Sequence, residues 1–463
     1  MNKKICAVFM ALLMAVSAAA CKDKEKTADN VQTNDTAVQS TPVEEPDIGE
    51  HKDYDTKKAR AYLSNGILVV DQDDVKRGME ILDKDADMSY AEFYGNELNT
   101  IKDRLGAKVN VYSMIVPTAC EFYCPANERW QIKSQEEVMT YVRDMLVNVK
   151  EVNLLPILRN HNAEEIYYRT DNRWTSLGAY YAGKAFAKIA GVDYADISQY
   201  EKKVISDKYF GNLYAGLDEK GITDLEACPD NFVYYEPKCK YNTYYYDEEF
   251  EYLTEDKFFE KVPDNLYDSY FKGGYYCLKM TSKVKNGRKL IIVKDSFGTP
   301  LAPFFTSSFE EIYVVDLEYL EANLVEMIQE FEITDVLYVM NSFSVTGNRV
   351  YSLETLRTQA THGTLNDAAP EEDIIDTDKE KKSTDGSDTD SDTYSQTQYV
   401  YDVGLNNQVG VYVDSQVVPL DEYYAYSSAA QPEDDYTYEE EITGVYEEVG
   451  DEEETIQEND FFE

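Results

Sequence analysis

Histidine is the scarcest titratable residue of this sequence, with three copies among 463 residues: His51, His161 and His362. Histidine is the side chain that usually accepts a proton near neutral pH, so acid–base chemistry here depends on one of these three or on another residue type. His51 lies in a polar N-terminal segment and His362 begins an acidic C-terminal one. His161 precedes a tyrosine pair, and we interpret it as structural. We therefore expect none of the three to act as a catalytic base.

Positive charge is also scarce, with 44 lysine and arginine residues against 89 aspartate and glutamate residues and a net charge of −45. Nucleic-acid binding needs cationic side chains that displace the counterions of phosphates, so this composition excludes ordinary nucleic-acid binding. Much of the negative charge follows Gly363, where thirty acidic residues stand against three lysines. Such a segment repels itself and buries little apolar surface, which predicts a disordered acidic tail.

The cysteines do not follow the spacing of a metal site. No Cys-x-x-Cys or Cys/His grouping typical of zinc occurs, and no loop has the ligand spacing of a calcium site. We expect no metal and no cofactor. Cys120 and Cys124 are interpreted as buried apolar thiols, and Cys228 with Cys239 is a possible loop-closing pair. Five cysteines lie beyond the N-terminal segment: Cys120, Cys124, Cys228, Cys239 and Cys277.

No apolar run in the sequence is long enough to cross a bilayer comfortably. Two lysines precede an apolar stretch at 5–20, a pattern typical of an export signal. Cys21 follows three alanines, and this position predicts lipidation of Cys21, as in bacterial lipoproteins. Ala18 stands where the usual leucine would be, so secretion after an Ala-x-Ala site is the alternative.

These features predict four segments of the chain: a signal peptide at 1–20, a disordered tether at 21–55, a folded domain at 56–362 and the acidic tail at 363–463. The tether is polar and poor in large apolar residues, as flexible linkers are. We expect the domain to lie at the extracellular face of the cell membrane, with the lipid as its only membrane contact.

Strands and helices alternate from residue 289 onward. The predicted strands at 290–294, 312–316 and 336–340 are nearly continuous apolar runs, as parallel strands covered on both faces must be. Helices are predicted from about Pro300 and at 318–331. This alternation predicts an α/β fold with three layers and a parallel sheet.

The region from 192 to 280 is rich in tyrosine and is predicted to be a loop-rich excursion with some antiparallel strand. Aromatic faces stack on sugar rings, so a sugar-binding surface is one interpretation of this region. The simpler interpretation, which we favour, is that the tyrosines pack on one another. The most crowded group is Tyr241, Tyr244, Tyr245 and Tyr246.

Two segments carry the candidate chemistry. The first places charged side chains beside a large aromatic residue at the start of an apolar helix. The second segment is a turn that contains a serine and follows the predicted buried strand at 290–294. Asn341 follows the predicted strand at 336–340 in the same way. Ligands of parallel α/β sheets bind at the carboxyl ends of the strands, so we expect these residues to line one cleft. The two segments consist of Asp171, Asn172, Arg173 and Trp174, and of Lys294, Asp295 and Ser296.

The first segment resembles a degraded Asp-His-His-Trp motif. That motif names the DHHW family of Firmicutes surface proteins, distant relatives of the SGNH hydrolases and the alginate O-acetyltransferases. The resemblance extends over roughly 60–350 and implies an SGNH-hydrolase-like, flavodoxin-like parallel sheet. Further segments that fit the family, in the family's order, are 111–118, 121–123, 210–214 and 312–317.

The resemblance also implies acyl transfer by a serine, a histidine that accepts its proton and an aspartate that orients the histidine. Carried over to this sequence, Ser296 is the nucleophile and Asp171 the orienting carboxylate. The histidine position holds Arg173, and the preceding histidine is Asn172. Arginine stays protonated and an amide is not a base, so neither residue can replace histidine.

The remaining cleft residues leave alternatives open. Arg173 forms either an ion pair with Asp171, which we favour, or a bidentate site for an acyl or uronate carboxylate. Lys294 lies two residues before Ser296, but relatives with an intact histidine carry this lysine too, so it is no substitute base. Trp174, Asp295 and Asn341 are expected to line the cleft.

The sequence therefore predicts a surface-tethered, catalytically degenerate protein that binds cell-surface carbohydrate or an envelope protein in its cleft. One alternative is an active O-acetyl esterase or acetyltransferase on polysaccharide that uses Ser296 with an unorthodox base. The other is a purely structural envelope lipoprotein.

Overall fold

The computed structural model describes residues 49–263, 265–271 and 275–365, together with short strands within 400–419. The predictions for the signal peptide, for Cys21 and for the tether up to residue 48 therefore lie outside the described residues. So do those for the tail beyond residue 365, apart from the short strands.

Strands and helices occur in the following order along the described chain. The strands are β1 (Arg60–Ser64), β2 (Ile67–Gln72), β3 (Val75–Met79), β4 (Asn110–Val116), β5 (Val149–Glu151), β6 (Tyr200–Tyr209), β7 (Asp230–Pro237), β8 (Tyr241–Tyr246), β9 (Tyr252–Glu255), β10 (Cys277–Ser282), β11 (Lys289–Lys294), β12 (Glu311–Asp316), β13 (Asp335–Asn341), β14 (Val400–Tyr401), β15 (Gly410–Val413) and β16 (Gln416–Pro419). The helices are α1 (Ser89–Leu105), α2 (Ala119–Tyr123), α3 (Gln135–Met145), α4 (Leu155–Asn160), α5 (Ser176–Ala190), α6 (Asn212–Ala215), α7 (Glu219–Glu226), α8 (Leu324–Glu330), α9 (Ser342–Val345) and α10 (Tyr351–Thr358).

The central sheet has eight strands in the order β5-β4-β13-β11-β12-β10-β8-β9. Its first five strands are mutually parallel, and β10, β8 and β9 extend it antiparallel. Strands β11, β12 and β13 are almost wholly buried, as their apolar sequences predict. The predicted parallel α/β sheet is confirmed.

The five parallel strands follow an unusual order. Numbered along the chain and read from β5 to β12, they lie in the order 2-1-5-3-4. If β11, β12, β13, β4 and β5 are instead numbered 1 to 5 and the sheet is read from β12 to β5, the order is 2-1-3-4-5. The second order is that of flavodoxin-like sheets, in which ligands bind where the direction of winding reverses. In this chain that point lies between β11 and β13, at their carboxyl ends. The serine turn and Asn341 follow these two strands.

The helices cover both faces of the sheet. Neighbouring residues of β4 point to opposite faces, because side chains alternate along a strand. Tyr112 packs against Phe186 of α5 with ring centroids 5.0 Å apart, whereas the Ser113 hydroxyl lies 2.9 Å from the Tyr94 hydroxyl of α1. The three predicted layers are therefore present.

The tyrosine-rich region contains the expected antiparallel strands: β6 and β7 form a separate two-stranded sheet, and β8, β9 and β10 extend the central sheet. Strand β8 pairs with β10 along its whole length, and Tyr244, Tyr245 and Tyr246 are buried. Tyr246 stacks on Phe250 with ring centroids 4.2 Å apart. These tyrosines pack on aromatic neighbours, which excludes a sugar-binding surface at these three positions.

Two predicted helices are shorter than expected. The helix predicted at 318–331 is confined to α8, because the Asn323 side chain accepts hydrogen bonds from the Val325 and Glu326 amides and caps it there. The helix predicted from Pro300 is a single 3-10 turn at Ala302–Phe305.

The N-terminal boundary of the domain lies upstream of the predicted one. The amide of Ala163 donates to the carbonyl of Glu50, and the Asn162 side chain bonds both backbone groups of Lys52. Residues 49–55, assigned to the tether from the sequence, thus contact the folded domain in the structure.

Candidate functional site

The structure brings the Asp171–Trp174 segment and the serine turn together, although more than a hundred residues separate them. The indole nitrogen of Trp174 donates to the Phe297 carbonyl at 2.7 Å, and the Tyr267 hydroxyl donates to the Ser296 carbonyl at 2.8 Å. Trp174 is fully buried. The tryptophan therefore fixes the two segments to each other at the carboxyl edge of the sheet.

Asp171 is buried and saturated with hydrogen bonds. Its Oδ1 accepts from the backbone amide and the Nε of Arg173, at 3.0 and 2.7 Å. Its Oδ2 accepts from Arg173 Nη2 and the Tyr209 hydroxyl, both at 2.7 Å, and from the Asn212 amide at 3.3 Å. This carboxylate has no remaining capacity to orient another side chain.

Arg173 completes a buried ion pair, the arrangement favoured from the sequence. Its guanidinium also lies over the Tyr267 ring, 3.4 Å from the centroid. Burial alone would raise the pKa of Asp171, but the charge and hydrogen bonds of Arg173 hold that pKa below its ordinary value. Asp171 and Arg173 are therefore both ionised at neutral pH.

A second buried carboxylate holds the segment in place. Asp230 accepts hydrogen bonds from the backbone amides of Arg169 and Thr170 and from the Thr170 hydroxyl, at 2.6 to 2.9 Å. Gly211 closes the other side, because a Cβ atom there would overlap the Asp171 carboxylate. These contacts place Asp171 at a defined position between β6 and the start of α5.

The serine turn is held by a network from β13. Asp295 Oδ1 accepts from the Phe297 amide, and its Oδ2 accepts from the amide and side chain of Asn341 and from the Ser344 hydroxyl. Burial raises the pKa of Asp295. Asp295 and Asn341 thus shape the turn, and Ser296 at its tip is exposed.

The Lys294 side chain forms an ion pair with Asp316 of β12. Its Nζ lies 2.6 Å from Asp316 Oδ2, and its side chain is 6% exposed. A cation–π contact with Phe271, 5.2 Å away, accompanies the pair. An ion-paired ammonium has no lone pair to accept a proton, so Lys294 cannot serve as the base for Ser296.

The three histidines are engaged elsewhere. His161 is buried, stacks on Tyr181 at 3.5 Å and contacts Glu164. His51 is exposed and contacts the Arg159 carbonyl and Asp53. His362 is exposed near the end of the described domain. Within the described part of the chain, none of these contacts involves the serine turn or Asp171.

Several residues of this site were not identified from the sequence. Tyr209 and Tyr267 belong to regions whose tyrosines gave no positional signal, because so many aromatics surround them. Asn212 lies in the 210–214 segment that resembles the family, which was the only available indication. Their roles depend on contacts with residues that are distant in the sequence.

The described cysteines form no further candidate site. Cys120 and Cys124 are buried thiols as expected, and Cys228 and Cys239 are free rather than joined. Among the described residues, no helix combines the length and apolar character needed to cross a bilayer. The same residues contain no convergent group of three metal-binding side chains.

Fold and site together define an α/β protein with a mostly parallel sheet and a serine turn beside a buried Asp–Arg pair. A family model described as DHHW protein matches residues 26–315, and the chain belongs to this family. The resemblance seen in the sequence is confirmed. In the family's namesake motif this chain retains Asp171 and Trp174 and replaces both histidines.

Solved structures similar to this chain include a protein of the same family. A DHHW family protein from Eubacterium siraeum is 33% identical, with a TM-score of 0.60 over 66% of this chain and 100% of that one. PatB1 of Bacillus cereus, solved with a sulfonyl adduct, is 17% identical, with a TM-score of 0.51 over 63% and 99%, and shares the fold. The O-acetyltransferase domain of Pseudomonas putida AlgJ is 14% identical, with a TM-score of 0.36 over 64% and 99%. No curated protein matches the chain.

Proposed function

We propose that this protein binds a cell-surface polysaccharide or an envelope partner in its cleft and does not turn over an acyl ester there. The observation that carries the proposal is the bidentate ion pair between Arg173 and Asp171. The pair fills the position from which a histidine would act, and it uses the carboxylate that would orient that histidine.

The chemical reason is the lack of a proton acceptor. A serine becomes a nucleophile only when a neutral base within hydrogen-bond reach takes its proton. Arg173 is protonated, Lys294 is ion-paired, and Asp295 accepts four hydrogen bonds from its own network. None of these three side chains is available as a base for Ser296.

The proposed binding relies on the side of the site that is accessible to solvent. Asp171 is enclosed by Arg173 and Tyr209, whereas Ser296 is exposed at the carboxyl ends of the strands. Polysaccharide is the favoured ligand class because of the resemblance to relatives of the alginate O-acetyltransferases.

The proposal is tested by hydrolysis of p-nitrophenyl acetate with purified protein. Wild type and Ser296→Ala should show the same negligible rate. The double variant Asn172→His with Arg173→His restores the family motif and should raise Ser296-dependent turnover by about a hundredfold or more, the usual contribution of a positioned base. Adding Asp171→Asn to the double variant is the control and should abolish most of the gain.

One result would contradict the proposal directly. If Ser296→Ala lowers the wild-type rate by orders of magnitude, the protein is an active esterase or transferase with an unorthodox base, which is the alternative function.

We also propose that the protein is anchored to the outer face of the cell membrane through lipid on Cys21. Cys21 follows the apolar stretch of the export signal directly, and a polar segment follows it. The variant Cys21→Ser should appear in the medium instead of the membrane fraction. Unchanged membrane partition of this variant would rule out the anchor.

A further inference from the structure

The turn after β12 lies beside the serine turn. Strands β11 and β12 are parallel, with Lys294 opposite Asp316 in the register. The Leu317 amide donates to the Lys294 carbonyl at 3.0 Å, which continues the pairing by one step. Ser296 lies two positions after Lys294, and Glu318 lies two positions after Asp316. Glu318 and the next residue, Tyr319, therefore lie in the turn that neighbours the serine turn at this edge of the sheet.

Tyr319 presents a fixed aromatic ring at this position. It stacks on Tyr276 with ring centroids 3.8 Å apart and an interplanar angle of 14°. Tyr319 is 38% exposed, whereas Tyr267 and Tyr270 on the other side of the serine turn are buried. An aromatic ring held by a stacked partner loses little conformational freedom when a ligand binds it.

A charged pair lies next to this ring. Arg349 Nε donates to Glu318 Oε1 at 2.8 Å. Burial raises the pKa of Asp295, and the Arg349 guanidinium opposes that increase, so its charge acts on the serine turn. The pair therefore places a hydrogen-bond donor group and an acceptor group together beside Tyr319 and the serine turn.

We propose that Tyr319, supported by Tyr276, and the Glu318–Arg349 pair form a subsite for one neutral pyranose unit of a polysaccharide that passes Ser296. The inference rests on the proposed binding function and assigns its ligand class. A pyranose ring has an apolar C–H face that packs on an aromatic ring, and hydroxyls that both donate and accept hydrogen bonds. The Glu318–Arg349 pair carries one negative and one positive charge, so the subsite has no net charge, which favours a neutral sugar over a polyanion.

The test is affinity gel electrophoresis of the full chain in gels that contain soluble glucan, mannan, xylan or polygalacturonate. At least one neutral polymer should retard the wild-type protein, and polygalacturonate should not. Tyr319→Ala should weaken the apparent affinity about tenfold, as expected for loss of an aromatic anchor. Arg349→Gln should weaken it in the same gels.

The chain offers matched controls for both substitutions. Tyr141 on α3 is 39% exposed, close to the 38% of Tyr319, and Arg143 on the same helix forms ion pairs. Tyr141→Ala and Arg143→Gln should leave retardation unchanged. Thermal unfolding of each variant separates lost binding from lost folding.

Two outcomes would overturn the subsite. One is the absence of retardation by every neutral polymer, and the other is equal retardation of folded Tyr319→Ala and wild type. Gel retardation measures binding and does not depend on turnover. Esterase activity that depends on Ser296 would therefore refute the non-catalytic function without deciding whether the subsite exists.

Discussion

The two sides of the site differ in their exposure to solvent. On one side, Asp171 is fully buried and its partner Arg173 is 11% exposed, with every oxygen of the carboxylate in use. On the other side, Ser296 is exposed on a turn that β13 supports. Asp171 and Arg173 are thus part of the buried structure, whereas the Ser296 side chain is accessible to solvent.

Stability should depend strongly on the buried side. Asp171→Ala leaves the buried guanidinium of Arg173 without its counterion and should reduce the free energy of unfolding by about 3–5 kcal/mol. Urea-induced unfolding measures the change. The double variant Asp171→Ala with Arg173→Leu removes both charges and should recover most of the loss. A single-variant loss below about 1 kcal/mol would mean that the pair does not hold the core.

A smaller effect should follow from the neighbour of the pair. Tyr209→Phe removes one hydrogen bond to the Asp171 carboxylate and should cost about 1.5–3 kcal/mol, the usual value for a bond to a charged group. Tyr338→Phe on β13 is the control, because the buried Tyr338 hydroxyl has no hydrogen-bond partner among the described residues. Equal losses in both variants would refute the specific role of Tyr209.

The two buried carboxylates of the cleft should respond to pH with opposite signs. The folded-state pKa of Asp171 is lowered, so its stabilisation is present above the ordinary carboxyl pKa of about 3.9 and is lost as pH falls through the folded value. The pKa of Asp295 is raised, so its contribution is present at low pH and is lost as pH rises through the folded value. Carboxyl carbon NMR titration of wild type against Asp171→Asn and Asp295→Asn measures both, and shifts of the same sign would contradict the contrast.

The smallest effect is expected at the exposed side. Ser296→Ala alters an exposed side chain and should change the free energy of unfolding by no more than about 0.5 kcal/mol. The same urea experiment provides the value. A loss comparable to that of Asp171→Ala would show that the serine turn is as much a structural element as the ion pair.

Local pattern predicted much of this architecture. Continuous apolar runs identified β11, β12 and β13, and the family resemblance named both segments that meet in the cleft. It did not show that Trp174 bonds the Phe297 carbonyl or that Tyr267 lies between Arg173 and Ser296, because these contacts join residues far apart in the chain.

Errors in the prediction also have local physical causes. The helix expected at 318–331 was drawn from apolar spacing, but an asparagine cap delays its start and leaves Glu318 and Tyr319 in a turn. The tyrosines of β8 were assigned to an excursion because their polar hydroxyls concealed a buried strand. In the first case a local cap overrode the apolar pattern, and in the second the pairing of β8 with β10 did.

The position of β13 has a consequence for how the chain folds. This strand, among the last of the domain to be synthesised, inserts between β4 and β11 and pairs Asp335 with Asn110. Until it arrives, both neighbours present unpaired edges that invite association with other chains. Contacts of such long sequence separation also slow folding. The cleft is thus completed last, and a chain that ends before β13 cannot assemble it at all.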